Sequence, residues 1–332
     1  MVQNSKINIV LVLLVLITLF SSCAKEKLDA DVRHITIDAD YRINDIYFIN
    51  QNVGFAVGGS RYEEGYILKT EDGGLNWLRF PNDSIISTGE SNLQTLNSIS
   101  FYNDLIGQAV GHGGKILRTE DGGSSWEMIV NGTYENFNDI AMLSANKTLI
   151  SSSGAYADGS IFASNNEWYN FDRQELTYAL RGMSFINKDI GFLTGYGIVQ
   201  KTINGGNSWE IMDLKTDYFF DVDFVSLQTA YVCGWEGGVY KTENQGETWK
   251  TIKQTNKVFA NRQHYENIDF INENTGVVCG YKGEVLYTNN GGETWQTIET
   301  NTKEDLHSIY FYNTNKVFVG GENGLFLELN IP

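Results

Sequence analysis

Seven stretches of the chain share one alternation of apolar and polar positions. They are NDIYFINQNVGFAVGG from Asn44, NSISFYNDLIGQAVGH from Asn97, NDIAMLSANKTLISSSG from Asn138, RGMSFINKDIGFLTGY from Arg181, FDVDFVSLQTAYVCGW from Phe220, ENIDFINENTGVVCGY from Glu266 and HSIYFYNTNKVFVGG from His307. They align on Phe48, Phe101, Met142, Phe185, Phe224, Phe270 and Phe311. Apolar residues alternate, break at an Asn- or Gly-bearing turn and resume, which predicts two antiparallel strands, A and B. A third strand, C, such as GKILRT or GGVYKT, follows each pair, and a fourth, D, lies beyond the next tryptophan.

Between strands C and D the chain writes one turn repeatedly: KTEDGGLNW, RTEDGGSSW, KTINGGNSW, KTENQGETW and YTNNGGETW, ending at Trp77, Trp126, Trp209, Trp249 and Trp295. A worn copy, ASNNEW, ends at Trp168, so the six tryptophans are separated by 49, 42, 41, 40 and 46 residues. That period suits a four-stranded propeller blade. Asp72, Asp121, Asn204, Asn244 and Asn290 share one slot and are expected to accept backbone N–H bonds in an Asx-type turn. The second glycine of each full box supplies positive φ, and the tryptophan buries its ring between blades. The box is thus read as a folding device.

Seven upstream halves predict an all-β fold, a seven-bladed β-propeller of four-stranded antiparallel blades spanning residues 34–332. The seventh blade has three strands at the C-terminal end, and His34–Asp38 is expected to supply its fourth and close the ring. The boxes resemble the Asp-box or BNR motif, S/T-x-D-x-G-x-T/S-W. Their arrangement over about 300 residues most resembles the Ycf48 family of photosystem II assembly factors, and is less similar to the sialidases. The resemblance implies a protein-binding platform. The arginine-rich patch of that family has no identifiable counterpart here, so the photosystem role itself does not carry over.

Composition agrees, with 34 glycines, 13% aromatic residues and only 2 prolines, as many short strands joined by glycine turns require. A net charge of -17 argues against nucleic acid or an anionic membrane surface as the main ligand. At the start, Lys6 precedes an apolar run from Ile7 to Phe20 that is short for a bilayer span and bounded like a signal peptide. Ser21-Ser22-Cys23 resembles the lipobox of bacterial lipoproteins, which implies residues 1–22 as signal peptide, lipidation of Cys23, and residues 23–33 as a tether. The expected location is the cell envelope, on the periplasmic or cell-surface face of the outer membrane. Cys233 and Cys279 occupy one slot of successive repeats, hence sheets about 10 Å apart, too far for a disulfide. Both are expected to be small buried hydrophobes.

Chemistry is sought opposite the boxes, where the B–C loops and interblade connections lie. Directly after the glycine that ends strand B stand Tyr196, Trp235 and Tyr281 on blades four to six, with His112 in that slot of blade two. They predict an aromatic crescent near the channel mouth, suited to a partner's side chains or to sugar rings. Arg61 and Tyr62 lie in blade one's B–C loop. Four residues before each aligned position, Asn44, Asn97, Asn138, Arg181, Phe220, Glu266 and His307 are expected to line the channel, with Arg181 a candidate carboxylate or phosphate ligand. The connection Gln254–Tyr265, bearing Lys257, Phe259, Arg262 and His264, is a candidate docking loop.

Catalytic templates fail. There is no triple-arginine sialidase cluster among eight arginines, and nothing selects a glycosidase pair from Glu63, Glu64, Asp158 and Glu236. Neither metal-ligand histidine spacing nor a phosphate loop occurs. The expectation is therefore a lipid-anchored monomer without cofactor that binds a protein partner or envelope complex. A glycan-binding module or glycoside hydrolase is the alternative, and a structural envelope protein the third reading.

Overall fold

The computed structural model describes residues 26–60, 64–87, 93–129, 132–154, 158–164, 170–214, 217–254 and 263–332. It is a seven-bladed propeller whose blades are four-stranded antiparallel sheets. The innermost strands A are Ile43–Phe48, Leu96–Phe101, Asn136–Ser144, Leu180–Phe185, Phe219–Phe224, Tyr265–Phe270 and Leu306–Asn313. Each packs against strand A of the next blade, and the seventh returns to the first. Strand B is buried at every position, as in Gly54–Gly59 or Ala230–Gly234, or at all but its ends, because neighbouring blades cover both faces. Its first residue is often glycine for a steric reason: a Cβ at Gly54 would stand 2.6 Å from the Phe48 ring, and one at Gly276 would stand 2.3 Å from Phe270. The aligned phenylalanine and that glycine are one packing unit.

The box works as read, and it also clamps adjacent blades. Thr119 Oγ1 accepts the Gly123 N–H at 2.8 Å and donates to Asp121 Oδ1 at 2.9 Å, while Asp121 accepts the Ser125 N–H at 2.9 Å. Blades one, four, five and six repeat this with Thr70, Thr202, Thr242 and Thr288. Positive φ at the second glycine, 71° at Gly123 and 86° at Gly74, lets the turn press onto the preceding blade. A Cβ there would meet Phe55 of blade one at 2.4 Å, or Phe318 of blade seven at 2.3 Å. Trp126 stands edge-on to Phe55 and Phe101, and Trp77 stands edge-on to Phe318 and Phe326. The Nε1 atoms of Trp77, Trp126, Trp209, Trp249 and Trp295 are buried without a protein acceptor, so the rings act as apolar bodies. Trp168 lies outside the described residues. Cys233 and Cys279 are free and buried.

The ring closes through the N-terminal strand, but in an earlier register than the sequence suggested. Asp31–His34, not His34–Asp38, pairs antiparallel with Phe326–Asn330, with Val32 opposite Leu329. Arg33 decides the register: its guanidinium donates to the buried Glu328 carboxylate at 2.7 Å, and Lys316 approaches the same group at 3.2 Å. Ile35 and Ile37, whose alternation suggested a strand, instead pack into the core between blades seven and one. Part of the expected tether is also structured, since Lys27–Leu28 runs parallel to Gln296–Glu299 on the edge of blade six. Cys23 and the signal segment lie outside the described residues.

Three outcomes follow. Trp126→Ala should destabilise the fold by about 3–5 kcal/mol in chemical denaturation. Arg33→Ala should cost about 1–3 kcal/mol by leaving Glu328 under-paired, and deletion of residues 26–34 should produce edge-paired aggregates that the intact chain does not form in size-exclusion chromatography.

Candidate functional site

The inner edge of strand A faces the channel, where no further strand takes up its N–H groups. Side chains from strand A take them instead, in layers. Three residues before each aligned position, Asp45 accepts from its own Ile46 at 2.8 Å and from Ile99 of the next blade at 2.8 Å. Asp139 likewise serves Ile140 and Met183, and Asp221 serves Val222 and Ile268. Asn267 accepts from Ile309 at 2.7 Å. All seven inward N–H groups of that layer are thereby satisfied. A deeper layer repeats the device, with Phe270 donating to Asp223 and Phe311 to Asp269, each at 2.6 Å.

These carboxyls are half-buried: channel water reaches them, and protein surrounds them otherwise. Burial pushes Asp45 up to about 7 against the pull of its N–H donors, and pushes Asp269 up to about 6. It also raises Asp139, and raises Asp221 and Asp223 well above the usual carboxylate range. The aspartates were legible in the aligned halves as Asp45, Asp139 and Asp221 in one slot, but the sequence reading passed over them for the residue before.

That neighbouring slot is where the chain changes purpose around the ring. All seven residues expected there line a cavity of about 670 Å³ at the channel mouth. On blades one to three the residue is a structural tie: Asn44, Asn97 and Asn138 each donate to a carbonyl of the next blade, at Leu96, Phe137 and Leu180, at 2.6–2.7 Å. On blades four to seven the asparagine is replaced by Arg181, Phe220, Glu266 and His307.

Two constellations occupy that departing arc. His307 bridges Glu266 at 2.6 Å and Glu322 at 2.8 Å. Burial would lower the imidazole, but the two carboxylate bonds outweigh it and hold His307 above its ordinary value. Its bond holds Glu322 below the usual range, and outweighs burial to do the same for Glu266. The second is a continuous run of rings, Tyr196–Tyr218–Phe220–Trp235–His264–Tyr281, with successive centroids 5.2, 5.1, 5.9, 3.9 and 4.4 Å apart. Arg181 stacks over Tyr218 and Phe220 and donates from Nε to the Tyr218 hydroxyl at 2.8 Å.

The crescent of Tyr196, Trp235 and Tyr281 thus exists, set just outside the channel wall and joined to it by Phe220. Its members differ: Tyr196 is exposed, whereas Trp235 and Tyr281 close over the buried His264. Tyr218 and His264 complete the run and were missed as members, because both come from connections between blades and not from the repeated slot. His112 lies apart on blade two, 3.1 Å from Gln94 Oε1. Arg61, Tyr62, Glu63 and the docking-loop residues Lys257, Phe259 and Arg262 fall outside the described residues. Of the carboxylates considered for hydrolysis, Glu64 is held by Arg79 at 2.9 Å and Asn82 at 2.6 Å. Among the described residues no group of three His, Cys, Asp or Glu side chains is placed to hold a metal ion.

The carboxyls fix the sign of a pH dependence. An acid raised in the folded state binds its proton more tightly there, so stability falls as pH rises from the unfolded value near 4 to the folded one, by about 1.4 kcal/mol per pH unit per group. The raised His307 acts in the same direction above its unfolded value. Thermal unfolding should therefore occur at lower temperature at pH 8 than at pH 5. Asp45→Asn leaves one oxygen for the two N–H groups of Ile46 and Ile99 and should be the less stable protein at pH 5, with its deficit shrinking toward pH 8.

Comparison with known proteins places this geometry. The profile of the photosynthesis system II assembly factor YCF48 matches residues 24–134, and no curated protein matches the chain. A structure of YCF48 bound to D1 peptide superposes with a TM-score of 0.74 at 19% identity, covering 94% of this chain and 98% of that one. YCF48 from Cyanidioschyzon merolae gives 0.70 at 16%, covering 90% and 98%. A GH74 xyloglucanase from Xanthomonas campestris gives 0.71 at 9%, covering 90% of this chain and 53% of the enzyme. At these identities the likeness concerns the fold, which serves unrelated activities. The chain is a seven-bladed Asp-box β-propeller that resembles the YCF48 photosystem II assembly factors.

Proposed function

We propose that the chain is an exported, lipid-anchored platform that binds a protein partner or envelope complex through its B–C loop face. The observation that carries this is the ring run from Tyr196 to Tyr281 with Arg181 stacked on it, in the arc of the channel mouth where the structural asparagine is abandoned. Aromatic side chains flanked by an arginine are the residue types that anchor protein interfaces. A protein partner suits them better than a sugar. Trp235 has Phe220 stacked against it at 5.9 Å and His264 edge-on at 3.9 Å, so its ring is engaged within the run and not presented singly to a pyranose ring. The structure of a YCF48 carrying a D1 peptide supports a peptide-binding use of such a propeller. Export and anchoring rest on the lipobox-like Ser21-Ser22-Cys23.

Crosslinking pull-down from native envelopes tests the reading, with the wild type beside a Tyr196→Ala, Trp235→Ala, Tyr281→Ala triple variant. A variant that unfolds at an unchanged temperature should lose its partner by at least about thirtyfold, the effect of one anchor worth roughly 2 kcal/mol. Equal recovery by both would overturn the crescent as the docking site.

A further inference from the structure

We propose that the box face of the propeller lies against the membrane that carries the anchor, and that the channel mouth and aromatic run point away from it. The inference rests on lipidation of Cys23, and adds which surface meets the lipid.

Every strand D starts at the box face and ends at the B–C face. The chain's first described residues fix their place by pairing with such a strand. Glu26 O accepts the Thr297 N–H at 2.8 Å, and Glu26 Oε1 accepts from Gln296 Nε2 at 3.1 Å. Gln296 directly follows the box tryptophan Trp295. Lys27 and Leu28 then run parallel to strand D, opposite Thr297 and Ile298, with Lys27 donating to Glu299. The chain therefore reaches blade six at its box end. Cys23 precedes Glu26 by three residues, which span at most about 10 Å. The anchor point thus lies within about 10 Å of the box end of blade six, nearer that face than the mouth.

The face so presented has its own character. Leu105, Ile203 and Leu227 are more than half exposed on its turns and boxes, and Leu75 and Tyr102 are also exposed there. The boxes add the exposed carboxylates Glu71, Glu120 and Glu243. Each of these acids is paired with the Lys or Arg two residues before it, so the boxes bring no net positive charge to anionic headgroups. The short anchor imposes the approach.

The test uses the full-length protein, extracted with its anchor and reconstituted in phosphatidylethanolamine and phosphatidylglycerol vesicles that carry a headgroup energy acceptor. A fluorophore is placed at Lys188→Cys on the box face or at Tyr134→Cys in the connection on the mouth face. Cys233 and Cys279 are wholly buried and do not compete for label. Lys188→Cys should be quenched several-fold more than Tyr134→Cys, and a flexible Gly/Ser insertion between Ala24 and Lys25 should erase the difference. Equal quenching on vesicle-bound protein, or stronger quenching at Tyr134→Cys, overturns the orientation while leaving the anchor intact. Recovery of the label in solution, as with a Cys23→Ala control, overturns the anchor and the orientation with it.

Discussion

A propeller leaves one edge of every sheet with nothing to pair against: the N–H groups of strand A, turned toward the axis. A buried, unsatisfied N–H costs about as much as a lost hydrogen bond, and here the problem recurs seven times in one layer. The chain answers with two-oxygen acceptors, each spanning its own blade and the next. The same bonds that satisfy the edge therefore weld neighbouring blades, and the channel becomes acidic as a by-product. Everything at the mouth is built on that floor.

Blade contact farther out is made by a different means. The box turn, held by Thr and Asp or Asn, drives a glycine and a tryptophan onto the preceding blade, where Phe55 and Phe318 receive them. Polar bonds near the axis and apolar contact at the rim thus act at the two ends of each strand pair. The closing blade has no box, and relies on Arg33 and Glu328 across a junction of the two chain ends.

Much of the architecture was legible because it repeats. Blade number, the box and the positions lining the mouth all follow from one alignment of the chain with itself. Apart from the acceptor aspartates, which share a repeated slot yet were passed over, what escaped was whatever does not repeat. The closing strand was misplaced because Ile35 and Ile37 alternate as a strand does, while Arg33 finds its partner only in three dimensions. Tyr218 and His264 escaped because connections between blades carry no register. The crescent itself was visible as Tyr196, Trp235 and Tyr281, but its unequal exposure depends on His264, which sits beneath two of the rings.

Seven is an odd number, and an acceptor that serves two blades divides it unevenly. Asp45, Asp139 and Asp221 account for three pairs, and the remaining blade must be served singly, by Asn267, whose one carbonyl oxygen suffices. Asn267 also donates to Asp221 at 2.6 Å, so the leftover position ties itself to its neighbour's acceptor as well. The parity of the ring thus dictates where an amide replaces an acid. A propeller of this design that gained one blade by duplication would have an even ring, and its single asparagine would become the misfit.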